Sequence, residues 1–279
     1  MTRDTIGGHR IESAFARARA AGRIAFVPYV VAGHPSFERS YELALGALDA
    51  GADVLEIGLP YSDPLADGVT LQRAGDAALA AGMTLDAGFA LVERVASART
   101  DKPILVMGYA NQFLGPRGTE AVAQRLAEGG AAGAIIADLP PDEGAPLEEA
   151  FARHGLAIIY LVAPTSSDAR IELIAGRSGG FVYCVSLAGV TGARAEGPMN
   201  LGALVARVKK ASTLPVAVGF GVSRPEHVRA VAASGADGVI VGSALVEALG
   251  QDGREVERFD ALCRELVAAT TPVEATSAA

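Results

Sequence analysis

The sequence predicts a closed (β/α)8 barrel of the TIM class with an extra N-terminal helix. Three observations carry this reading. Short apolar segments rich in β-branched residues occur eight times, each followed by an amphipathic Ala/Arg/Glu stretch. Those segments are almost continuously apolar, as expected of parallel strands buried on both faces. The 279 residues contain no Pro/Gly/Ser linker, and eight units in that length suit one domain spanning 1–279. An open doubly wound sheet is the alternative.

The elements follow in order. A helix over 11–21 precedes the first strand, 24–31 (IAFVPYVV), and helix 39–50 follows it. Strand 53–59 (DVLEIGL) leads into an extended loop, 59–72, and then helix 84–98. Strands 103–109, 133–139 and 157–163 alternate with helices 118–128, 143–153 and 168–176. Strand 181–186 (FVYCVS) opens a second long loop, 187–199 (LAGVTGARAEGPM), before helix 200–210. After strand 215–220, Ser223 and Glu226 suit a capping box for helix 225–234, with Pro225 in the first turn. Strand 238–242 and helices 244–248 and 254–269 complete the barrel, and the tail 270–279 is expected to be disordered. Loops that follow strands form the working face of such a barrel, so the two long ones locate function.

Composition narrows the chemistry. A net charge of −8 argues against a nucleic-acid binder, so an anionic ligand must be held locally by backbone amides. Cys184 and Cys263 are too few for a disulfide framework and lack metal-ligand spacing, which points to a reducing, cytoplasmic setting. The N-terminus has no apolar signal core, and the longest apolar run, 156–163, is too short for a bilayer. No membrane association is expected. The lysines are Lys102, Lys209 and Lys210, all at the wrong face for a Schiff base, and the four histidines are scattered.

Glu56 stands inside an apolar strand. With a two-residue period, Val54, Glu56 and Gly58 share one face, and Leu55, Ile57 and Leu59 share the other. The Leu/Ile/Leu face suits the surrounding helices, which turns Glu56 into the barrel. Burial there raises its pKa, as suits a group that gives and takes a proton, although a buried Glu–Arg pair would also explain it. Asp67, in SDPLADG, could complete a two-carboxylate site, or could be a simple turn residue. Gly-rich exits at 219–227 and 241–249 fall after the seventh and eighth strands, where barrels hold phosphate on helix N-termini. GVTG at 189–192 could close over the same group. With neither lysine nor metal available, a carbon–carbon lyase here would need its electron sink within the substrate, as in a heteroaromatic ring protonated at carbon.

The motifs LEIGLPYSDPLADG, MGYAN, ADLPP, YCVS..GVTGAR, GFGVS and VGSA, in this order, resemble the tryptophan synthase alpha subunit family over about residues 10–268. The resemblance implies a lyase that cleaves indole-3-glycerol phosphate to indole and glyceraldehyde 3-phosphate. It further implies no cofactor in this chain and a beta subunit carrying pyridoxal phosphate, in an assembly of two alpha and two beta chains. By position it makes Glu56 the acid/base and Asp67 the group that holds the indole N–H. Phosphate would lie on Gly192, Gly221, Gly242 and Ser243, beside Phe220. Tyr29, Met107, Tyr109, Ile135, Leu161, Tyr183 and Thr191 would line the indole slot, each being otherwise ordinary barrel core. Pro60, Asp63 and Asn111 would face the beta subunit. Three features depart from the pattern: His34 replaces a common Asp, Leu187-Ala188 replace a polar pair, and Tyr29 replaces a Phe. A free-standing indole-3-glycerol-phosphate lyase is the alternative function.

Overall fold

The structure, a computed structural model, describes residues 4–115, 117–185, 201–219, 221–250 and 252–271. Its strands are β1 (Ala25–Val31), β2 (Leu55–Gly58), β3 (Ile104–Gly108), β4 (Gly133–Ile136), β5 (Ala157–Ile159), β6 (Leu161–Val162), β7 (Val182–Val185), β8 (Val216–Gly219) and β9 (Gly238–Val241). All pair in parallel, in the order β5-β4-β3-β2-β1-β9-β8-β7-β6. The segments β5 and β6 are one extended run interrupted at Tyr160. That run bonds β4 through Ala157 N–H to Ala132 O (3.0 Å) and faces β7 through Tyr183 N–H to Tyr160 O (3.2 Å). The sheet therefore closes, and the open-sheet alternative falls. The predicted single strand 157–163 is split because Tyr160 N–H turns instead to the Ser178 hydroxyl, at 3.2 Å.

Two apolar layers result from the alternation of side chains along each strand. Leu55 and Ile57 pack outward with Phe26, Val30, Val106 and the helices, while Val54 joins Val27, Leu105, Ile135 and Ile159 inside the barrel. The first helix, α1 (Ile6–Ala20), closes the lower end by sending Ile11, Ala14, Phe15 and Ala18 into that interior. Phe15 lies 5.4 Å from the ring of Phe181, and Gly238 leaves room for it, since a Cβ there would be 2.6 Å from the Phe15 ring.

This helix begins five residues earlier than predicted. Thr5 caps it by accepting from Gly8 N–H at 3.0 Å. The two glycines of its first turn hide it from propensity, yet Gly7 is needed: its N–H reaches Gly155 O at 2.8 Å, and a Cβ would sit 1.8 Å from Ala132 O.

Around the barrel stand α2 (Phe37–Asp49), α3 (Val69–Ala80), α4 (Leu85–Ala98), α5 (Ala110–Leu114), α6 (Thr119–Glu128), α7 (Ala145–Arg153), α8 (Asp168–Arg177), α9 (Leu201–Ala211), α10 (Pro225–Ala233), α11 (Ser243–Ala248) and α12 (Val256–Ala268). Two were not predicted. The N-cap of α3 is Gly68, with no capping side chain, and it buries only Ala74, Gly75 and Ala78, so its pattern is faint. Five-residue α5 is too short to show periodicity. The extended loop after β2 thus ends at Gly68, not at 72. The proposed capping box at Ser223 is also corrected: Arg224 is the N-cap of α10, and Ser223 N–H instead reaches His227 Nδ1 at 3.2 Å.

At the other end of the chain, Thr270 is buried and its carbonyl accepts from Ile24 N–H at 3.1 Å, so order runs past the expected start of the tail. Among the described residues no single helix is long and apolar enough to cross a membrane.

Candidate active site

The upper mouth of the barrel, at the C-terminal ends of the strands, holds a cavity of about 100 Å³. Its walls bring together Glu56 and Asp67, the strand-exit residues Gly221, Gly242 and Ser243, and the apolar side chains of Tyr29, Met107 and Tyr183. Gly68, Leu71, Val222 and Ile240 complete it. These four were missed. Ile240 could have been found from its inward register on β9, and Leu71 from its spacing of one helical turn after Asp67.

Glu56 is fully buried, opposite Tyr29 of β1 and Leu105 of β3 in the sheet register. Among the described residues neither carboxyl oxygen has a hydrogen-bond partner, so no Glu–Arg pair holds it there. Without a partner the charged form is penalised by lost hydration, and burial pushes the Glu56 pKa from 4.5 to about 8. At neutral pH the side chain is then mainly protonated and has a proton to give. Gly58, two residues along the same face, has no space for a side chain, because a Cβ would lie 1.9 Å from the Tyr29 hydroxyl. Tyr183 uses Gly219 in the same way, at 2.4 Å. Burial, and after it the nearby carboxyl groups, holds both phenols well above their ordinary pKa and therefore neutral.

Asp67 sits on the β2 exit loop, half-buried. Desolvation raises its pKa, partly offset by the hydrogen bond from Tyr109. The loop is tied down at several points: Ala66 N–H donates to the Tyr109 hydroxyl (3.0 Å), and Gln72 of α3 donates to the Asp67 carbonyl (2.9 Å). Tyr109 thus touches the loop that bears Asp67 and is not part of the cavity wall itself. Ile135 is fully buried within the interior core, and Leu161 packs half-buried against it; neither lines the described cavity.

On the opposite strand exits, Gly221 has a φ of 75°, a conformation that favours glycine, and Gly242 is the N-cap of α11, which begins at Ser243. First-turn amides of a helix have no intrahelical acceptor and point out of its end, where the dipole favours an anion. Thr191, Gly192 and Phe220, with Leu187 and Ala188, lie outside the described residues.

Pro60, Asp63 and Asn111 share the rim beside Asp67. Asn111 donates to the Tyr61 hydroxyl at 2.9 Å, and Asp63 accepts from Ser62 at 2.6 Å. His34, after β1, is half-buried, its Nδ1 without a hydrogen-bond partner among the described residues, and burial lowers its pKa. The lysines are remote from the cavity: Lys102 reaches Ala52 O (2.8 Å) and Lys209 pairs with Asp237 (2.9 Å).

The chain is similar to known proteins of one family over nearly its whole length. The family model for the tryptophan synthase alpha chain matches residues 15–271. The tryptophan synthase alpha chain of Roseiflexus castenholzii is 47% identical over 242 residues, covering 87% of this chain and 92% of that one. That of Gloeobacter violaceus is 46% identical over 270 residues, 95% of this chain and 97% of its own. Among solved structures, a chain of Mycobacterium tuberculosis tryptophan synthase superposes with a TM-score of 0.86 at 39% identity, covering 95% of this chain and 99% of that one. The tryptophan synthase alpha chain of Legionella pneumophila gives 0.85 at 34% identity, with 95% and 98% covered.

Proposed function

The chain belongs to the tryptophan synthase alpha chain family, and from that premise we propose that Glu56 and Asp67 perform its reaction in the cavity at the barrel mouth. The reaction is the carbon–carbon lyase step that splits indole-3-glycerol phosphate into indole and glyceraldehyde 3-phosphate. The observation that carries the assignment is Glu56 itself, an inward carboxyl with no partner on either oxygen among the described residues, sharing one small cavity with Asp67 and the two glycine-rich strand exits.

Protonated Glu56 delivers its proton to the ring carbon that bears the side chain, while Asp67 accepts the indole N–H and balances the positive charge. The ring becomes the electron sink. Glu56, now ionised, takes the proton of the adjacent side-chain hydroxyl. The C–C bond breaks, its electron pair returns to the ring, and the hydroxyl carbon leaves as an aldehyde. Glu56 ends protonated, as it began. A pKa near 8 suits this double duty, because a carboxyl of ordinary pKa would hold no proton to give at neutrality. Gly221, Gly242 and Ser243, with Gly192 and Phe220, would anchor the phosphate and so supply orientation. Tyr29, Met107 and Tyr183 would hold the indole plane, with Tyr109, Ile135, Leu161 and Thr191 supporting that slot.

The family partners a beta chain. We place that partner at the rim formed by Pro60, Asp63 and Asn111, in an assembly of two alpha and two beta chains in the cytoplasm. The test is indole release from indole-3-glycerol phosphate by the purified chain, with and without a beta chain, against the Glu56→Gln variant. Turnover in the variant is expected to fall by roughly 10²-fold or more. Retention of more than a tenth of wild-type turnover would remove Glu56 from the proton transfers.

A further inference from the structure

We propose that Gln112 is a positioning residue for Asp67, holding the β2 exit loop at the height at which its carboxylate meets the substrate. This inference rests on the reading of Asp67 given above. Gln112 lies in α5, the short helix after β3, and is half-buried. Its amide works in two directions. Nε2 donates to the carbonyl of Pro60, at the root of the β2 exit loop (3.0 Å), and Oε1 accepts from the backbone N–H of Tyr109 (2.9 Å).

Tyr109 carries the other end of the arrangement, since its hydroxyl accepts from Ala66 N–H, the residue next to Asp67, and lies near enough to the Asp67 carboxyl to lower its pKa. Gln112 therefore fixes the loop root to the same residue whose side chain fixes the loop tip. The ring of Tyr109 is held in turn by Tyr61, stacked at 5.1 Å and 20°, whose hydroxyl accepts from Asn111. Ala110 N–H is taken by Asp138 at 2.7 Å, which ties α5 to the β4 exit. Gly108 makes room for the clamp, because a Cβ there would lie 2.6 Å from Gln112 Oε1.

The geometry needs an amide. Pro60 O is an acceptor and Tyr109 N–H a donor, so the side chain between them must offer one donor and one acceptor at the same reach. Leucine offers neither. Glutamate offers two acceptors when ionised, and a donor to Pro60 O only when protonated. The pH dependence of a glutamate variant thus reports on the clamp directly.

The experiment measures indole release by the full-length wild type, Gln112→Leu, Gln112→Glu and Asp67→Asn from pH 5 to 8, alone and with a beta chain. Folding is checked by thermal melting, and the phosphate end by the affinity for glycerol phosphate. Gln112→Leu is expected to lose roughly 10-fold in kcat/KM, about 1.4 kcal/mol, with glycerol phosphate affinity unchanged. Gln112→Glu is expected to approach wild-type activity at the acid end, and its ratio to wild type should fall as pH rises and the new carboxyl ionises. A ratio that stays flat with pH, or a Gln112→Leu enzyme as active as wild type while Asp67→Asn is inactive, overturns the positioning role and leaves Asp67 in place. A fully active Asp67→Asn overturns the underlying reading instead.

Discussion

Glu56 is held in the barrel as a neutral acid, and two consequences follow at the scale of this residue. With a folded-state pKa near 8 against an ordinary 4.5, the folded protein binds a proton that the unfolded chain releases across that interval. Stability from this site is therefore intact below about pH 4.5 and declines as pH rises toward 8, where the full cost of a buried charge is felt. Glu56→Gln removes the titration, so the variant is expected to melt above wild type by a margin that widens from pH 5 to pH 8. Melting curves across that range check it, and a constant difference would mean that Glu56 titrates normally. Catalysis is expected to share the limit: kcat/KM for indole release should decline above about pH 8, where the free enzyme loses its acid.

At the scale of elements, helix ends and glycines set the geometry. Adding a carboxylate at the start of α11 places a negative charge where an anion is expected to sit. Ser243→Glu should therefore weaken glycerol phosphate binding by at least about 10-fold, and leave binding of glycerol itself unchanged. Parallel titrations of the two ligands check this, and equal losses would indicate misfolding. Gly221 is a poorer place for such a test, because its φ of 75° strains any side chain.

Two helical glycines are expected to respond to alanine with opposite signs. Gly75→Ala in α3 meets open space and should gain up to ~1 kcal/mol from helix propensity. Gly7→Ala in α1 gains the same propensity but drives a methyl group into Ala132 O, so it should lose ~1–3 kcal/mol net. Denaturant midpoints decide both.

For the whole molecule, the question is how far the site is assembled in one chain. Gln112, Tyr109 and Gln72 already pin the β2 exit loop, but each contact is a single hydrogen bond worth about 1 kcal/mol. Ordering a loop of this length costs more than that per residue. A beta chain docked on the rim at Pro60, Asp63 and Asn111 is expected to contribute the difference and raise indole production by ~10-fold or more, which needs only about 1.4 kcal/mol of bias. Steady-state rates with and without the partner, together with amide exchange over 60–68, check this. Full activity in the isolated chain, with those amides already protected, would favour a free-standing lyase.

Much of this molecule is legible in the order of its residues. Strand–helix alternation gives the barrel, and the period of two along VLEIGL is enough to aim Glu56 inward, because a strand has only two faces and one is plainly apolar. The strand-exit glycines mark, for a similar local reason, the exits at which phosphate binding is proposed. What failed locally was settled by distant partners. Gly7 and Gly8 read as helix breakers until α1 docks on Ala132 and Gly155. Ser223 reads as a cap until His227 takes its N–H, and the hold of Tyr109 on the Asp67 loop shows only once its hydroxyl meets Ala66 N–H. Ile135 and Leu161 share the inward face and stand in register with Met107 and Tyr183, yet only the latter two are in the cavity wall formed by the described residues. Sequence periodicity reports which face a side chain takes. Partners and the protonation of Glu56 depend on what other segments bring to that point, and only the closed barrel decides them.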